Sequence, residues 1–313
     1  MLPFVSPTSG HLLHQEGDVL LCEDERYPII NGIPRFVDSK NYAASFGLQW
    51  KTHTKTQLDS YLGTHISRER LERCLGTPLA ELAGKTVLEA GCGAGRFTEL
   101  LVAAGAKVHA IDLSVAVEAN RENIGGHEHY VVAQASLLTP PFPPGAFDAV
   151  ICLGVLQHLP SPEDGIRALW SMVKPGGWLI IDHYTWSLSY VTKLSNLYRL
   201  VLRRMAAEKA KRITDWLVDL FFPIHWALRK IYPAQMLLSR VSPCLVYFRL
   251  YPHLTKEQHY EWTRLDTFDH LTDYYKHMRT SGEINACLRS LGAINIAVWR
   301  GGNGIEARAQ KPQ

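Results

Sequence analysis

The chain has no apolar run of the roughly 18–20 residues that a bilayer crossing requires, so no transmembrane helix is expected. Its start, Met1-Leu2-Pro3-Phe4, lacks the basic stretch and the apolar segment of a secretory signal. Six cysteines (Cys22, Cys74, Cys92, Cys152, Cys244 and Cys287) are scattered at no paired spacing. No disulfide framework is indicated, and a reducing, cytoplasmic setting is expected. Strong charge is missing too. A formal net charge of +3 and a pI near 8.5 give no case for a nucleic-acid partner. Repeats and low-complexity tracts are absent. What remains is 313 residues, 46% hydrophobic and 20% charged, enough for one large domain with additions.

Punctuation and periodicity divide the chain. In residues 1–40, Gly17–Cys22 reads as a hairpin strand and Tyr27–Pro34 as a second strand broken by a turn. Residues 41–84 read as polar and mostly helical, with aromatic anchors at Tyr42, Phe46 and Trp50. From Lys85 onward strands and helices alternate. Strands are expected at Lys85–Gly91, Lys107–Asp112, His129–Ala133, Phe147–Leu153 and Trp178–Asp182. Helices are expected at Phe97–Ala104, after Ser114, and from Ser161 to Val173, where Lys174-Pro175-Gly176-Gly177 makes a turn. Such alternation builds a parallel doubly wound sheet with helices on both faces. It stops at residues 185–257, which read as helical, apolar and basic. A helix at Glu283–Leu291 and strands at Ala293–Val298 and Ile305–Arg308 close the chain, the last two as an antiparallel hairpin.

The most informative stretch is Val87-Leu88-Glu89-Ala90-Gly91-Cys92-Gly93-Ala94-Gly95-Arg96-Phe97, where a strand enters glycines at alternate positions and then a helix. Glycines let the backbone turn tightly and approach a ligand, and the helix start offers unpaired N–H groups. Asp112 ends the next strand, where a carboxylate can accept from ribose hydroxyls. The dinucleotide fingerprint G-x-G-x-x-G places its third glycine three residues after the second, and here the gap is two. Glu89 would repel a pyrophosphate, yet it suits a cofactor bearing an ammonium and a sulfonium.

These residues resemble the class I S-adenosylmethionine-dependent methyltransferases. Glu89–Gly95 looks like that family's first motif, and Asp112 matches its ribose-binding acid. Phe147–Ile151 with Leu153-Gly154-Val155-Leu156-Gln157-His158-Leu159 resembles the fourth-strand motif, and Lys174–Gly177 the turn before the fifth strand. The resemblance implies a Rossmann-like, mostly parallel seven-stranded sheet with a terminal antiparallel hairpin. It implies S-adenosylmethionine as cofactor, held by Glu89, Gly91, Cys92, Gly93, Gly95, Asp112, Leu113, Ala135, Ser136, Leu137, Leu153 and Gly154. Ser136 departs from the pattern, since an acid usually stands there. A hydroxyl accepts from the adenine amine more weakly, so adenine binding would lean on Leu113 and Leu137. The fourth-strand motif lacks the Asn/Asp-Pro-Pro-aromatic sequence typical of methylases of planar base or amide nitrogens.

Phe4–Gly10, Leu21-Cys22 and Tyr27–Phe36 resemble a short zinc-ribbon-like domain fused ahead of some bacterial methyltransferases. In that pattern Ser6 and Ser9 would be a C-x-x-C pair, and Cys22 would belong to a second. Serine hydroxyls are not structural zinc ligands, so a metal-free β module is expected, with recruitment of His11 and His14 beside Cys22 as the lesser reading.

Methyl transfer to a hydroxyl or ammonium needs a proton acceptor, and histidine titrates in the right range. His158 follows the fourth strand, and His183 and Tyr184 follow the fifth, at the carboxyl edge where ligands bind. Asp269 and His270 lie in a polar, aromatic stretch before the last helix. Each also has a plain structural reading, as a pocket-lining or turn residue. Cys92 and Cys152 read as packing residues.

The expected organisation is a degenerate zinc-ribbon-like module over 1–40, a methyltransferase domain over 41–184 and 258–313, and a helical insertion over 185–257. The insertion reads as a lid shaping a site for a hydrophobic or anionic small molecule, or as a plain extra layer. Contact of its basic face with a membrane is a lesser reading. The leading function is methylation of a small molecule. A lipid-linked or quinone-like acceptor at a membrane surface is one alternative, and a non-catalytic cofactor-binding scaffold is another.

Overall fold

Alternate residues of the central strands feed two separate cores. In strand β5 (Thr86–Ala90), Leu88 and Ala90 join one core and Val87 the other. Strands β6 (Lys107–Asp112) and β8 (Phe147–Cys152) divide likewise: Ile111, Val150 and Cys152 to the first, Val108, Ala110, Ala149 and Ile151 to the second. A strand buried on both faces must be apolar almost throughout, which is why these segments read as continuous apolar runs.

The computed structural model describes residues 1–38, 47, 49–50, 52–187 and 192–313. It divides into two units, Met1–Asn41 with His65–Thr185 and Tyr275–Gln313, and Tyr42–Thr64 with Trp186–Tyr274. In the first, β7 (Tyr130–Gln134), β9 (Val173–Tyr184), β10 (Ile294–Gly301) and β11 (Gly304–Gln310) complete a seven-stranded sheet in the order β10-β11-β9-β8-β5-β6-β7. Strands β5 to β9 run parallel, while β11 pairs antiparallel with β9 and with β10. This is the Rossmann-like doubly wound sheet with its terminal hairpin. Helices, numbered along the chain, cover both faces. Those on one side are α1 (Ile66–Leu75), α2 (Thr98–Ala103) and α3 (Ala116–Ile124), which bury Leu71, Leu101 and Val117. On the other, α4 (Pro162–Met172) and α9 (Ser281–Ser290) bury Ile166, Leu169, Ile284 and Leu288. Helix α4 starts where expected, because the Ser161 side chain accepts the Asp164 amide and Pro162 suits the first turn.

Lys174–Gly177 differs from expectation. Strand β9 already begins at Val173, and the segment is a bulge between the Phe147–Val173 and Ala149–Trp178 pairings. Gly177 permits it, since a Cβ there would lie 2.9 Å from the Asp148 carbonyl oxygen.

The N-terminal module is an antiparallel sheet of β1 (His14–Glu16), β2 (Val19–Cys22), β3 (Glu25–Ile30) and β4 (Ile33–Pro34). Ser6 accepts the Thr8 and Ser9 amides, each at 3.0 Å, and its hydroxyl donates to Glu25. Tyr27 donates to the same carboxylate at 2.8 Å, and these hydroxyls hold Glu25 below the usual carboxylate range. His11 and His14 pair with Glu23 and Glu16 rather than turning to Cys22. Among the described residues no group of three or more His, Cys, Asp and Glu could hold a metal ion. The module is fastened to the large sheet by Arg35, which bonds Gln134 of β7 at 3.1 Å and Glu118 of α3 at 3.0 Å.

The second unit is helical: α5 (Ser195–Leu202), α6 (Ala207–Leu228), α7 (Tyr232–Val241) and α8 (Lys256–Thr272). Leu202, Leu217, Phe268 and Leu271 pack in one cluster, and Val218, Phe222 and Cys244 in another. The expected boundaries shift here. The described residues among 47–64, and residues 258–274, group with this unit rather than with the sheet. The ties are specific: Gln258 donates to the Leu62 carbonyl at 3.2 Å, and Gln57 donates to Asp266 at 3.3 Å. Trp50 is half-buried in the same unit, while Tyr42 and Phe46 lie outside the described residues. The Asp266–Thr272 stretch is helix, not loop, because α8 opens with a full capping box of Thr255 and Gln258 and continues to Thr272.

One buried histidine makes folding sensitive to acid. His109 on β6 is fully buried, accepts the Leu2 amide at Nε2, and packs edge-on against Phe142 and Phe147. Burial pushes its pKa down to about 4 from 6.5. The neutral ring therefore contributes stability fully present above about pH 6.5 and lost as pH falls toward 4. The loss expected is about 3 kcal/mol. Urea unfolding between pH 7 and 4 should show His109→Gln, which keeps an acceptor without titrating, with a shallower acid decline than the wild type. Parallel declines would refute this role.

Candidate functional site

Strand order reverses between β5 and β8, since the chain leaves β5 toward β6 and β7 and then returns to place β8 and β9 on the other side. Ligands of open α/β sheets bind at the carboxyl ends of strands at such a switch point. Two loops meet that description, Gly91–Phe97 after β5 and Leu153–Val155 after β8. Gly91 has φ of 80°, and a Cβ on it would stand 2.3 Å from Val155 Cγ2, so the two loops touch through a position only glycine can fill. Gly93 and Gly95 also have positive φ, at 50° and 101°.

The loop is held by backbone and carboxylate. The Gly91 and Cys92 amides donate to the Ile111 carbonyl at 2.7 and 3.0 Å. The Gly93 amide donates to Asp112 Oδ2 at 3.0 Å, while Oδ1 accepts from the Ser114 amide at 2.8 Å and hydroxyl at 2.7 Å. Desolvation nonetheless raises the Asp112 pKa, with those donors opposing it. Glu89, almost fully buried, accepts the Thr98 hydroxyl at 2.6 Å. Burial pushes its pKa to about 8, and the charge on Asp112 adds to the rise. Two carboxylates thus flank the glycine loop.

Behind the loop runs a buried chain that the sequence did not reveal. Tyr130 OH donates to Asn120 Oδ1 at 2.6 Å, and Asn120 Nδ2 donates to Thr98 at 2.9 Å and approaches the Gly93 carbonyl at 3.3 Å. These are ordinary residues at separations of 10 and 22 in sequence, with no motif to mark them. Asp182 was also missed. Fully buried on β9, it accepts the Gly154 amide and pairs with Arg70 of α1, so it fixes the second loop.

Ala135, Ser136 and Leu137 follow β7. Ala135 and Leu137 are buried, the Ala135 amide bonds the Asp112 carbonyl at 2.9 Å, and Ser136 Oγ accepts the Leu138 amide at 3.2 Å. Leu113 is placed by Gln134, whose amide donates to its carbonyl at 3.0 Å. Cys92 and Cys152 are buried thiols, and that burial raises their pKa well above the ordinary value.

Of the five expected acid–base residues, the structure brings two together. The His158 and Tyr184 rings meet edge to face, with centroids 5.5 Å apart. His158 Nδ1 lies 3.2 Å from the Tyr275 carbonyl oxygen. A carbonyl only accepts, so Nδ1 is the donor in this contact. Lys276 sits 5.8 Å from the Tyr184 ring centre. His183 points to the other face of β9. It is buried, Nδ1 bonds the Tyr184 carbonyl at 2.8 Å, and burial lowers its pKa. Asp269 and His270 belong to α8 in the second unit, where His270 is buried with Nε2 3.1 Å from Ser195 Oγ.

Residues 88–181 match the model of a methyltransferase domain family. A ubiquinone biosynthesis O-methyltransferase of Chromobacterium violaceum is 42% identical over 108 residues, 33% of this chain and 46% of the relative. Its counterpart in Burkholderia orbicola is 39% identical over 108 residues, with the same coverage of 33% and 46%. The chain thus spans about half the length of the curated relatives it matches. An S-adenosylmethionine-dependent methyltransferase structure from Mesorhizobium loti, 15% identical, superposes over 78% of this chain and 98% of that chain with a TM-score of 0.46, too loose a fit to argue from. None of these matches supports the zinc-ribbon-like reading of residues 1–40.

If the Tyr130–Asn120–Thr98 chain works as a unit, its members are coupled. Asn120→Ala and Tyr130→Phe should each destabilise the protein by about 1–3 kcal/mol in denaturant titrations. The double variant should fall short of their sum by about 1 kcal/mol. Simple additivity would show that the two side chains act separately.

Proposed function

We propose that this chain is an S-adenosylmethionine-dependent methyltransferase. The observation that carries the reading is the pair of carboxylates flanking the glycine loop at the switch point, Glu89 on β5 and Asp112 on β6. The residues fit that cofactor. Asp112, at the end of β6, would accept from ribose hydroxyls. Glu89, desolvated with a pKa near 8, gains from a neighbouring cation. The buried Ala135 and Leu137, together with Leu113, offer an apolar wall for adenine. Gly91, Cys92, Gly93, Gly95, Leu153 and Gly154 let the backbone come close.

The cofactor supplies a methyl group on a sulfonium, which leaves as a neutral thioether when an acceptor attacks in line. Everything else falls to the chain: to hold the acceptor, exclude water and remove its proton. His158 is the base we assign, because in the neutral ring an Nδ1–H donated to the Tyr275 carbonyl would leave Nε2 as the proton acceptor. Tyr184 against its ring fixes the plane of the imidazole. A hydroxyl is the acceptor favoured. The relatives named above are ubiquinone biosynthesis O-methyltransferases, and a hydroxyl is a group that needs such a base.

Two measurements test this. Ionised Glu89 should bind the cationic end of S-adenosylhomocysteine better than the neutral acid does. Affinity by calorimetry should therefore rise from pH 6 to a plateau above about pH 8, where Glu89 has lost its proton. The slope should approach about tenfold per pH unit, and Glu89→Gln should abolish it. No binding at millimolar ligand would sink the assignment. His158→Gln should lower kcat by about a hundredfold or more while leaving S-adenosylhomocysteine affinity unchanged. Unaltered kcat would remove His158 from the chemistry.

A further inference from the structure

The second unit turns apolar side chains to solvent in a pattern that a soluble helical layer does not need. Of the 21 large hydrophobics exposed among the described residues, 14 fall within residues 186–250. They follow helical spacing. On α6, Trp216, Leu220 and Ile224 stand at successive i,i+4 positions, with Trp216 62% exposed. On α7, Leu237 and Val241 repeat that spacing, and Leu237 is 72% exposed. On α5, Leu197, Leu200 and Val201 are exposed. The inner faces of α5 and α6 are already satisfied by Leu202, Leu217, Val218 and Phe222. Each of these two helices is therefore apolar on both sides, and among the described residues one side has no protein cover. Ends of the set adjoin, since the Leu194 amide donates to the Arg240 carbonyl at 2.8 Å.

Charge identifies what would cover such a face. Residues 186–250 hold eleven Lys and Arg against three acids, a net of +8, whereas the rest of the chain carries a net of −5. The cations border the exposed apolar groups. Arg249 lies over the exposed Tyr232 ring at 4.3 Å, and Arg229 over Trp226 at 4.1 Å. An open depression on α6 is lined by Lys209, Arg212, Ile213 and Trp216, two cations beside two apolar groups. A second protein copy would bring another +8 against this one. No described helix is long and apolar enough to cross a membrane. Helices with apolar stripes, basic borders and aromatic residues between them lie in the plane of an anionic bilayer.

We propose that the exposed faces of α5, α6 and α7 form a docking surface for the headgroup region of an anionic lipid bilayer. Trp216, Leu220, Ile224 and Leu237 enter the acyl boundary, and Lys209, Arg212, Arg229 and Arg249 meet lipid phosphates. This inference stands apart from the catalytic reading, because no residue of the sheet takes part in it.

The test is flotation of the full chain with vesicles of phosphatidylcholine alone or containing roughly one third phosphatidylglycerol, a content that sets a negative surface potential. Partition onto the anionic vesicles should exceed that onto the neutral ones by at least about tenfold and weaken as salt is raised. Trp216→Glu with Leu220→Glu should reduce it by about tenfold or more. S-adenosylhomocysteine affinity and the melting temperature of that variant should match the wild type, which separates this result from failure of the cofactor site. If the double variant unfolds, Lys209→Gln with Arg212→Gln serves in its place and should lower anionic partition alone. Equal partition onto both vesicle types, or wild-type partition by the variants, overturns the proposal. So does a dimer, seen by sedimentation, that the Glu substitutions dissolve while no vesicle is bound.

Discussion

The candidate site depends on a carboxylate kept from water. Glu89 sits between the sheet and α2 with the Thr98 hydroxyl as its hydrogen-bond donor, and the neighbouring charge on Asp112 makes ionisation harder. An acid at such a position costs stability, and its position in the fold is held by others. Thr98 is fixed by Asn120, Asn120 by Tyr130, and the same Asn120 reaches the Gly93 carbonyl. The glycine loop, α2, α3 and β7 are thereby tied to one buried acid. A cation brought to that acid would favour its ionised form.

The second loop of the switch point is built by the same means from different parts. Asp182 of β9 accepts the Gly154 amide and pairs with Arg70, so α1 helps position the segment that leads to His158. Nearby, Arg73 of α1 reaches Glu306 of β11 at 2.7 Å. Helix α1 is therefore joined to β9 and to the terminal hairpin by one ion pair each, each with a buried acid. Removing one partner of such a pair leaves a buried charge without compensation. The N-terminal module contributes on the far side, where Arg35 holds Gln134 and Gln134 holds Leu113. Elements outside the alternating strands and helices, α1 and the N-terminal module, thus help hold the segments around the candidate site.

Legibility in the sequence followed the range of the interactions. Strands β5, β6 and β8 were readable because burial on both faces demands an unbroken apolar run. Helix α4 was readable because Ser161 and Pro162 act within one turn. The glycine loop was readable because glycines at alternate positions signal positive φ, and Asp112 because it ends an apolar run. Lys174–Gly177 was misread as a turn, since Pro and Gly signal a break in regular pairing without saying whether the strand resumes as a bulge. The helix over Asp266–Thr272 was not legible because its polar residues favour turns locally, and long-range packing of Phe268 and Leu271 overrode that preference.

The sequence by itself determined the sheet, the loop geometry at Gly91, Gly93 and Gly95, and the acids at Glu89 and Asp112, because each rests on local steric and burial rules. Tertiary structure alone decided that His158 meets Tyr184 while His183 turns away, since adjacent positions near a strand end point to opposite faces. It alone showed which apolar residues of 186–250 are covered. Helical periodicity marks an apolar stripe, but only packing decides whether protein or solvent lies against it.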